Sequence, residues 1–92
     1  MTVVTVYTRP GCHLCGEALA AIVALHVEGY RFELLEVDIE SDDLLLRRML
    51  ERIPVIEVDG ELVSDLSFDA TALRARLDTV RTADGRGDDR GA

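Results

Sequence analysis

The two cysteines of the chain, Cys12 and Cys15, are the residues whose type and spacing point most directly to chemistry. They are separated by two residues, within the stretch RPGCHLCG. Such a pair can supply half of a metal site, form a structural disulfide, or exchange electrons with other thiols as a dithiol. The rest of the sequence decides among these three roles.

The position of the pair at the start of a predicted helix favours redox chemistry. The thiolate is the reacting form of cysteine, and Cys12 follows Pro10 and Gly11 where free backbone N–H groups and the helix dipole stabilise an anion. Cys15 lies one turn later on the same face, so its sulfur can reach that of Cys12. We expect Cys12 to be exposed and Cys15 to be half-buried. This arrangement suits attack by Cys12 on a substrate disulfide and resolution by Cys15.

A metal site is the main alternative. A structural zinc site needs four ligands, and the chain adds only His13 and His26 to the cysteines. Helical spacing directs His13 away from the cysteines, and it places His26 some three turns further along. One chain therefore cannot close the site, but a metal or iron–sulfur site shared between two chains stays open. His13 has a second interpretation, as a partly cationic imidazole that favours the Cys12 thiolate, and His26 is expected at the margin of the core.

Length and composition restrict the class of protein. The 92 residues correspond to one domain, and 48% hydrophobic residues can form its core without a disulfide. The net charge of -8 disfavours nucleic acids and anionic membranes as partners. The sequence shows neither a signal peptide nor an apolar run of the roughly 20 residues that span a membrane. We expect a cytoplasmic protein, in which a structural disulfide would not persist.

Strand and helix patterns alternate along the chain. Ser41 can cap the second helix, Pro54 ends it, and Asp59-Gly60 between apolar runs predicts a hairpin. Ser67 or Asp69 can cap the last helix. The predicted elements are strands at 2–8, 31–39, 54–58 and 61–64, and helices at 12–27, 42–52 and 69–80.

The order β-α-β-α-β-β-α predicts an α/β fold, with a four-stranded mixed sheet and helices on both of its faces. We assign residues 1–80 to this domain. Residues 81–92 form a polar segment without the apolar side chains that could stabilise an ordered structure, so we expect a disordered tail.

Two segments resemble the glutaredoxin-like members of the thioredoxin fold: VYTRPGCHLC, and RIPVIEVDGEL about forty residues later. The resemblance extends over residues 2–80 and includes the order of elements. It implies that Cys12 is the nucleophile and Cys15 the resolving cysteine of a thiol–disulfide oxidoreductase. It also implies that Pro54 is a cis-proline facing the site, with backbone groups of Ile53 available to a thiol substrate. The residues that we assign to substrate binding are Arg9, His13, Ile53 and Pro54.

Two positions depart from the glutaredoxin pattern. Leu14 stands where an aromatic residue is usual before the second cysteine, and no Gly-Gly pair follows the last strand. Asp65 or Asp69 is the remaining candidate for the acidic residue that binds the γ-glutamyl end of glutathione in this family. The resemblance implies a monomer without a tightly bound cofactor, which uses glutathione or another small thiol as reductant and a protein or small-thiol disulfide as substrate. A non-catalytic interaction module, with its acidic surface on a basic partner, is a further alternative.

Overall fold

The computed structural model describes the backbone of residues 2–84 and the side chains of residues 2–79. The predicted order of elements is confirmed, with a short 3-10 turn at Ile39–Ser41 added after the second strand. The strands are β1 (Val3–Thr8), β2 (Glu33–Asp38), β3 (Val55–Val58) and β4 (Glu61–Ser64), and the helices are α1 (His13–Val27), α2 (Asp43–Met49) and α3 (Ala70–Asp84).

The four strands form one mixed sheet in the order β2-β1-β3-β4. Strand β1 is parallel to β2, and both the β1–β3 and β3–β4 pairs are antiparallel. Because Tyr7 of β1 is paired with Val55 of β3, the residue before Val55 lies at the end of the sheet where β1 leads to the cysteines. None of the helices in the described part of the chain is long and apolar enough to cross a membrane.

The predicted hairpin between β3 and β4 is confirmed. Asp59 and Gly60 both have positive φ, 51° and 87°, as the two central residues of a type I′ turn require. The Asp59 carboxylate also accepts a hydrogen bond from the Val3 N–H group at 2.9 Å, and it thereby attaches the hairpin to the first strand. The Asp-Gly pair thus determines both the turn and part of its packing.

Each face of the sheet has its own apolar cluster, and helices cover both faces as predicted. The larger cluster joins α1 and α3 to one face, and its fully buried members include Val6, Ile22 and Leu73. The smaller cluster lies under α2 and the 3-10 turn, and it consists of Ile39, Met49 and Val55 with partly buried neighbours. Val4 and Val6 of β1 belong to the larger cluster and Tyr7 packs against the smaller one, in keeping with the alternating burial along the strand.

Three predicted boundaries were wrong by a few residues. Asp42, not Ser41, caps α2, because its carboxylate accepts the Leu44 N–H group at 2.8 Å while Ser41 belongs to the 3-10 turn. Helix α2 ends at Met49 instead of residue 52, since the turn that leads to Pro54 begins there. Strand β2 is shorter than 31–39 because only Glu33–Asp38 pairs with β1.

Of the two residues predicted to cap the last helix, Ser67 and Asp69, the structure shows Asp69 as the cap. Asp69 accepts a hydrogen bond from the Ala72 N–H group at 2.9 Å, and α3 begins at the next residue. The helix runs to Asp84, four residues beyond its predicted end at residue 80. The remainder of the predicted tail, residues 85–92, lies outside the described residues.

Candidate active site

The stretch between β1 and α1 is a tight turn that delivers Cys12 to the start of the helix. Pro10 takes the second position of this turn, and Gly11 takes the third with φ 81°. The Cys12 N–H group donates to the Arg9 carbonyl oxygen at 3.2 Å. Proline followed by a residue of positive φ is the pattern of a type II turn. The turn geometry therefore explains Pro10 and Gly11 independently of the chemistry of Cys12.

Cys12 is the N-cap of α1 and Cys15 lies in its first turn. The Cys15 N–H group donates to Cys12 Sγ at 3.2 Å, so one of the free N–H groups of the helix start points at this sulfur. The two cysteines are joined in a disulfide, with their Cα atoms 5.2 Å apart. The structure thus shows the oxidised form of the pair.

The two sulfurs differ in accessibility. Cys12 is partly exposed, whereas Cys15 is buried with 2% of its surface accessible. Cys15 was predicted to be half-buried; it is more deeply buried because it begins the inward stripe that continues with Ala18 and Ile22. Only Cys12 is therefore open to an incoming disulfide.

Arg9 and His13, the two side chains predicted beside the cysteines, are both in contact with carboxylates. Arg9 Nη2 lies 2.8 Å from Glu40 Oε2, so the 3-10 turn after β2 partly neutralises the guanidinium. His13 is 86% exposed, and its Nε2 lies 2.8 Å from Glu17 Oε2 one turn along α1. The His13 side chain is thus largely exposed to solvent.

The Ile53–Pro54 peptide bond is cis. Pro54 is buried, and it precedes β3 at the end of the sheet where β1 leads into the turn at Cys12. The Ile53 N–H group already donates to the Met49 carbonyl oxygen at 3.0 Å. A thiol substrate would therefore use the Ile53 carbonyl group, or would have to displace this hydrogen bond.

Two surface grooves flank the first turns of α1. The larger groove, of about 550 Å³, contains Cys12 and continues along α1 to Ala20. The smaller groove, of about 330 Å³, lies between α1 and the loop after β4. Their walls are mainly apolar, from Gly11, Gly16 and Ala20 in one and Leu14, Ala18 and Phe68 in the other.

Sequence reasoning missed Glu17, which lines both grooves. Its position four residues after His13 and five after Cys12 places it near the cysteines on a helix, and that spacing was the available signal. The two acidic residues considered for glutathione binding have other partners. Asp65 lies 3.1 Å from Arg52 Nε, and Asp69 caps α3.

The histidines do not complete a metal site in the described part of the chain. No group of three or more His, Cys, Asp or Glu side chains there could hold a metal ion. The ring of His26 is stacked on Phe32 with centroids 4.0 Å apart, at the edge of the core as expected. His26 therefore has a packing role.

Comparison with solved structures defines the class of protein. Thioredoxin from Fasciola hepatica superposes with a TM-score of 0.61 over 85% of this chain and 79% of its own, at 21% identity, which shows the fold alone. Thioredoxin from Halobacterium salinarum gives the same TM-score at 18% identity. The molecule is a thioredoxin-fold protein, and its Cys12–Cys15 pair fits a redox role.

Comparison with protein families then identifies the particular group. The model of the glutaredoxin-like domain (DUF836) matches residues 3–78, so the chain belongs to this family. Protein XcR50 from X. campestris is 35% identical, with a TM-score of 0.65 over 83% of this chain and 96% of its own. Protein Ne2328 from Nitrosomonas europaea is 28% identical, with a TM-score of 0.70 over 82% and 89%. No match was found among curated proteins.

Proposed function

We propose that the protein is a thiol–disulfide oxidoreductase that exchanges disulfides with protein or small-thiol substrates through Cys12 and Cys15. The observation that carries the proposal is the position of Cys12 at the N-cap of α1, with the Cys15 N–H group pointing at its sulfur. In the reduced protein this N–H group and the helix dipole stabilise a Cys12 thiolate. The difference in burial between the two sulfurs supports attack by Cys12 and resolution by Cys15.

The reaction has two displacement steps. In the first, the Cys12 thiolate attacks a substrate disulfide, an S–S bond forms between them, and the other substrate sulfur leaves as a thiolate. In the second, Cys15 loses its proton and attacks Cys12 Sγ, so the mixed disulfide breaks and the second substrate thiolate leaves. Two electrons pass from the dithiol to the substrate, and the two protons end on the released thiols.

The remaining parts of the proposal concern partners. The protein works as a cytoplasmic monomer without a tightly bound cofactor, and glutathione or another low-molecular-weight thiol reduces it again. Substrates approach through the grooves beside α1, where Arg9, His13 and the Ile53–Pro54 segment provide contacts. With this chemistry the protein would transfer electrons between thiols and disulfides, and so contribute to cell redox homeostasis.

Redox equilibration tests the proposal. Purified protein is equilibrated in a series of glutathione buffers, trapped by alkylation and weighed intact. We expect a single two-electron transition confined to Cys12 and Cys15. The variants Cys12→Ser and Cys15→Ser form a matched pair: Cys15→Ser should accumulate a mixed disulfide at Cys12, and Cys12→Ser should be inert.

Three outcomes would contradict the proposal. Thiols that stay unpaired across all buffers would exclude exchange through the pair. Metal or colour in the purified protein, together with dimerisation that a chelator abolishes, would favour a carrier with a site shared between two chains. Cellular function that survives Cys12→Ser would favour a non-catalytic interaction module.

A further inference from the structure

We infer that Glu17 makes the site selective for disulfides that carry a positive charge next to the half-cystine, and that it disfavours anionic ones. The inference rests on the proposed function and adds a substrate class to it. The ligand that fits the two grooves is a polypeptide segment with a cystine, a neighbouring basic side chain and an apolar residue.

Glu17 lies where the two grooves beside the first turns of α1 adjoin. The groove that contains Cys12 and the groove between Leu14 and Phe68 share this one charged side chain. Glu17 is 61% exposed, so its carboxylate is accessible to a ligand that occupies either groove. Apart from His13 in the larger groove and Ser67 in the smaller one, the other side chains of the walls are small or apolar and suit an aliphatic side chain.

The basic groups around the grooves cannot offset Glu17 for an anionic ligand, because they are already paired. Arg9 is bound to Glu40, and Arg52 is bound to Asp65 at the base of the loop that leads to the smaller groove. The partner of Glu17 itself, His13, is a cation only when it is protonated. Each guanidinium here therefore has a carboxylate in contact.

The charge of the whole chain acts in the same direction. With a net charge of -8, the protein attracts cationic ligands and repels anionic ones before contact. Glutathione disulfide carries more carboxylates than ammonium groups, so it meets both the local and the global repulsion. A cationic peptide disulfide meets neither.

A single-turnover experiment tests the inference with three small disulfides of similar size. These are cystamine, which is cationic, 2-hydroxyethyl disulfide, which is neutral, and 3,3′-dithiodipropionate, which is anionic. Pre-reduced protein is mixed with each in 10 mM buffer, quenched with acid, alkylated and weighed intact. Rates are divided by the rate with the neutral disulfide, which removes any general change in thiol reactivity.

The control variant has the same global charge change at a distant position. Glu33 begins β2 at the opposite end of the sheet from Cys12, paired with Val3, and it is exposed. Glu17→Gln and Glu33→Gln each remove one negative charge, but only the first removes it at the grooves. Glu17→Lys reverses the local charge and provides a second test.

The wild-type protein should react faster with cystamine than with the anionic disulfide. Glu17→Gln should change each normalised rate about threefold in opposite directions, and hence their ratio about tenfold, as expected for unit charges roughly 7 Å apart with the dielectric constant of water, about 80, between them. Glu33→Gln should keep the wild-type ratio, and Glu17→Lys should reverse the preference.

Two results would overturn the inference while leaving the proposed function intact: equal normalised rates in the wild type, or equal effects of Glu17→Gln and Glu33→Gln. Failure of the proposed function looks different, since the neutral disulfide would then not oxidise the reduced protein at all.

Discussion

Two glycines beside the cysteines have opposite conformational requirements. Gly11 has φ 81°, a left-handed backbone conformation that the turn before Cys12 needs. Gly16 lies inside α1, where a side chain would be compatible with the backbone. At both positions a Cβ atom would meet nothing within 4 Å, so conformation alone distinguishes them.

Alanine at these two positions should therefore change stability in opposite directions. Gly11→Ala should lower the free energy of unfolding by about 1–2 kcal/mol, because an L-residue is strained in this conformation. Gly16→Ala should raise it by about 0.5–1 kcal/mol, because alanine favours the helix and restricts the unfolded chain. Urea unfolding of both variants measures the effects. A loss of stability in both would mean that the space around Gly16 is required.

The pKa of Tyr7 is shifted by the surroundings of its side chain, which packs against the smaller cluster. Burial raises the pKa of Tyr7 above 10.0, and the neighbouring Glu57 carboxylate raises it further by its charge and by accepting the phenol hydrogen bond. The fold thus favours the neutral phenol. Its contribution to stability is complete below the ordinary pKa and is lost as pH rises through the raised pKa.

Replacing Glu57 should bring the pKa of Tyr7 closer to 10.0. The measurement is the ultraviolet absorbance of tyrosinate against pH, in a Tyr30→Phe background so that only Tyr7 titrates. Glu57→Gln should move this transition to lower pH, while Glu33→Gln, with the same change in total charge, should leave it in place. A transition that is unaffected by Glu57→Gln would mean that burial alone sets the pKa.

At the scale of elements, α1 connects the reactive cysteines to the main core. Cys15 and Ile22 lie on the same buried stripe, whereas the next residue, Val23, is 50% exposed. Cys15, the resolving cysteine of the proposed mechanism, is therefore held by the packing of the helix on the sheet. Stability and site geometry depend on the same contacts.

Adjacent positions of α1 should differ sharply in their sensitivity to truncation. Ile22→Ala should cost about 2–5 kcal/mol in the free energy of unfolding, because it leaves a cavity in the core. Val23→Ala should change it by less than about 0.5 kcal/mol, as is usual at exposed positions. Urea unfolding compares the two. Should Ile22→Ala fail to fold, Ile22→Val, with an expected cost of about 0.5–1.5 kcal/mol, replaces it. Similar small effects at both positions would contradict the described packing.

Structural features that are determined by neighbours in the chain were predicted correctly from the sequence. Features that depend on contacts between distant residues were missed. The Asp59-Gly60 hairpin and the helix start at Cys12 are determined by neighbours in the chain, so both were correct. The partner of Arg9 is Glu40, 31 residues away, and no periodicity relates the two. The burial of Cys15 likewise depends on the elements that α1 covers.

At the scale of the whole molecule, negative charge exceeds positive charge. The chain has 18 acidic and 10 basic residues, so pairing every basic group still leaves unpaired carboxylates. Arg9, Arg52 and Arg74 form ion pairs that join separate elements. Such exposed pairs contribute little to stability, and salt weakens them.

Salt therefore weakens both the repulsion among carboxylates and the attraction within ion pairs. Because carboxylates are in excess, we expect the net effect of salt on stability to be favourable. Raising NaCl from 0.01 to 0.3 M shortens the screening length from about 30 Å to below about 8 Å, which reduces repulsion among all the unpaired carboxylates but weakens only a few short ion pairs. We expect stabilisation by about 1 kcal/mol, or about 4–8 °C in the thermal midpoint for a domain of this size. Thermal unfolding by circular dichroism measures this, and Glu33→Gln should raise the low-salt midpoint and reduce the effect of salt. A midpoint that falls with NaCl would mean that the ion pairs of Arg9, Arg52 and Arg74 outweigh the repulsion.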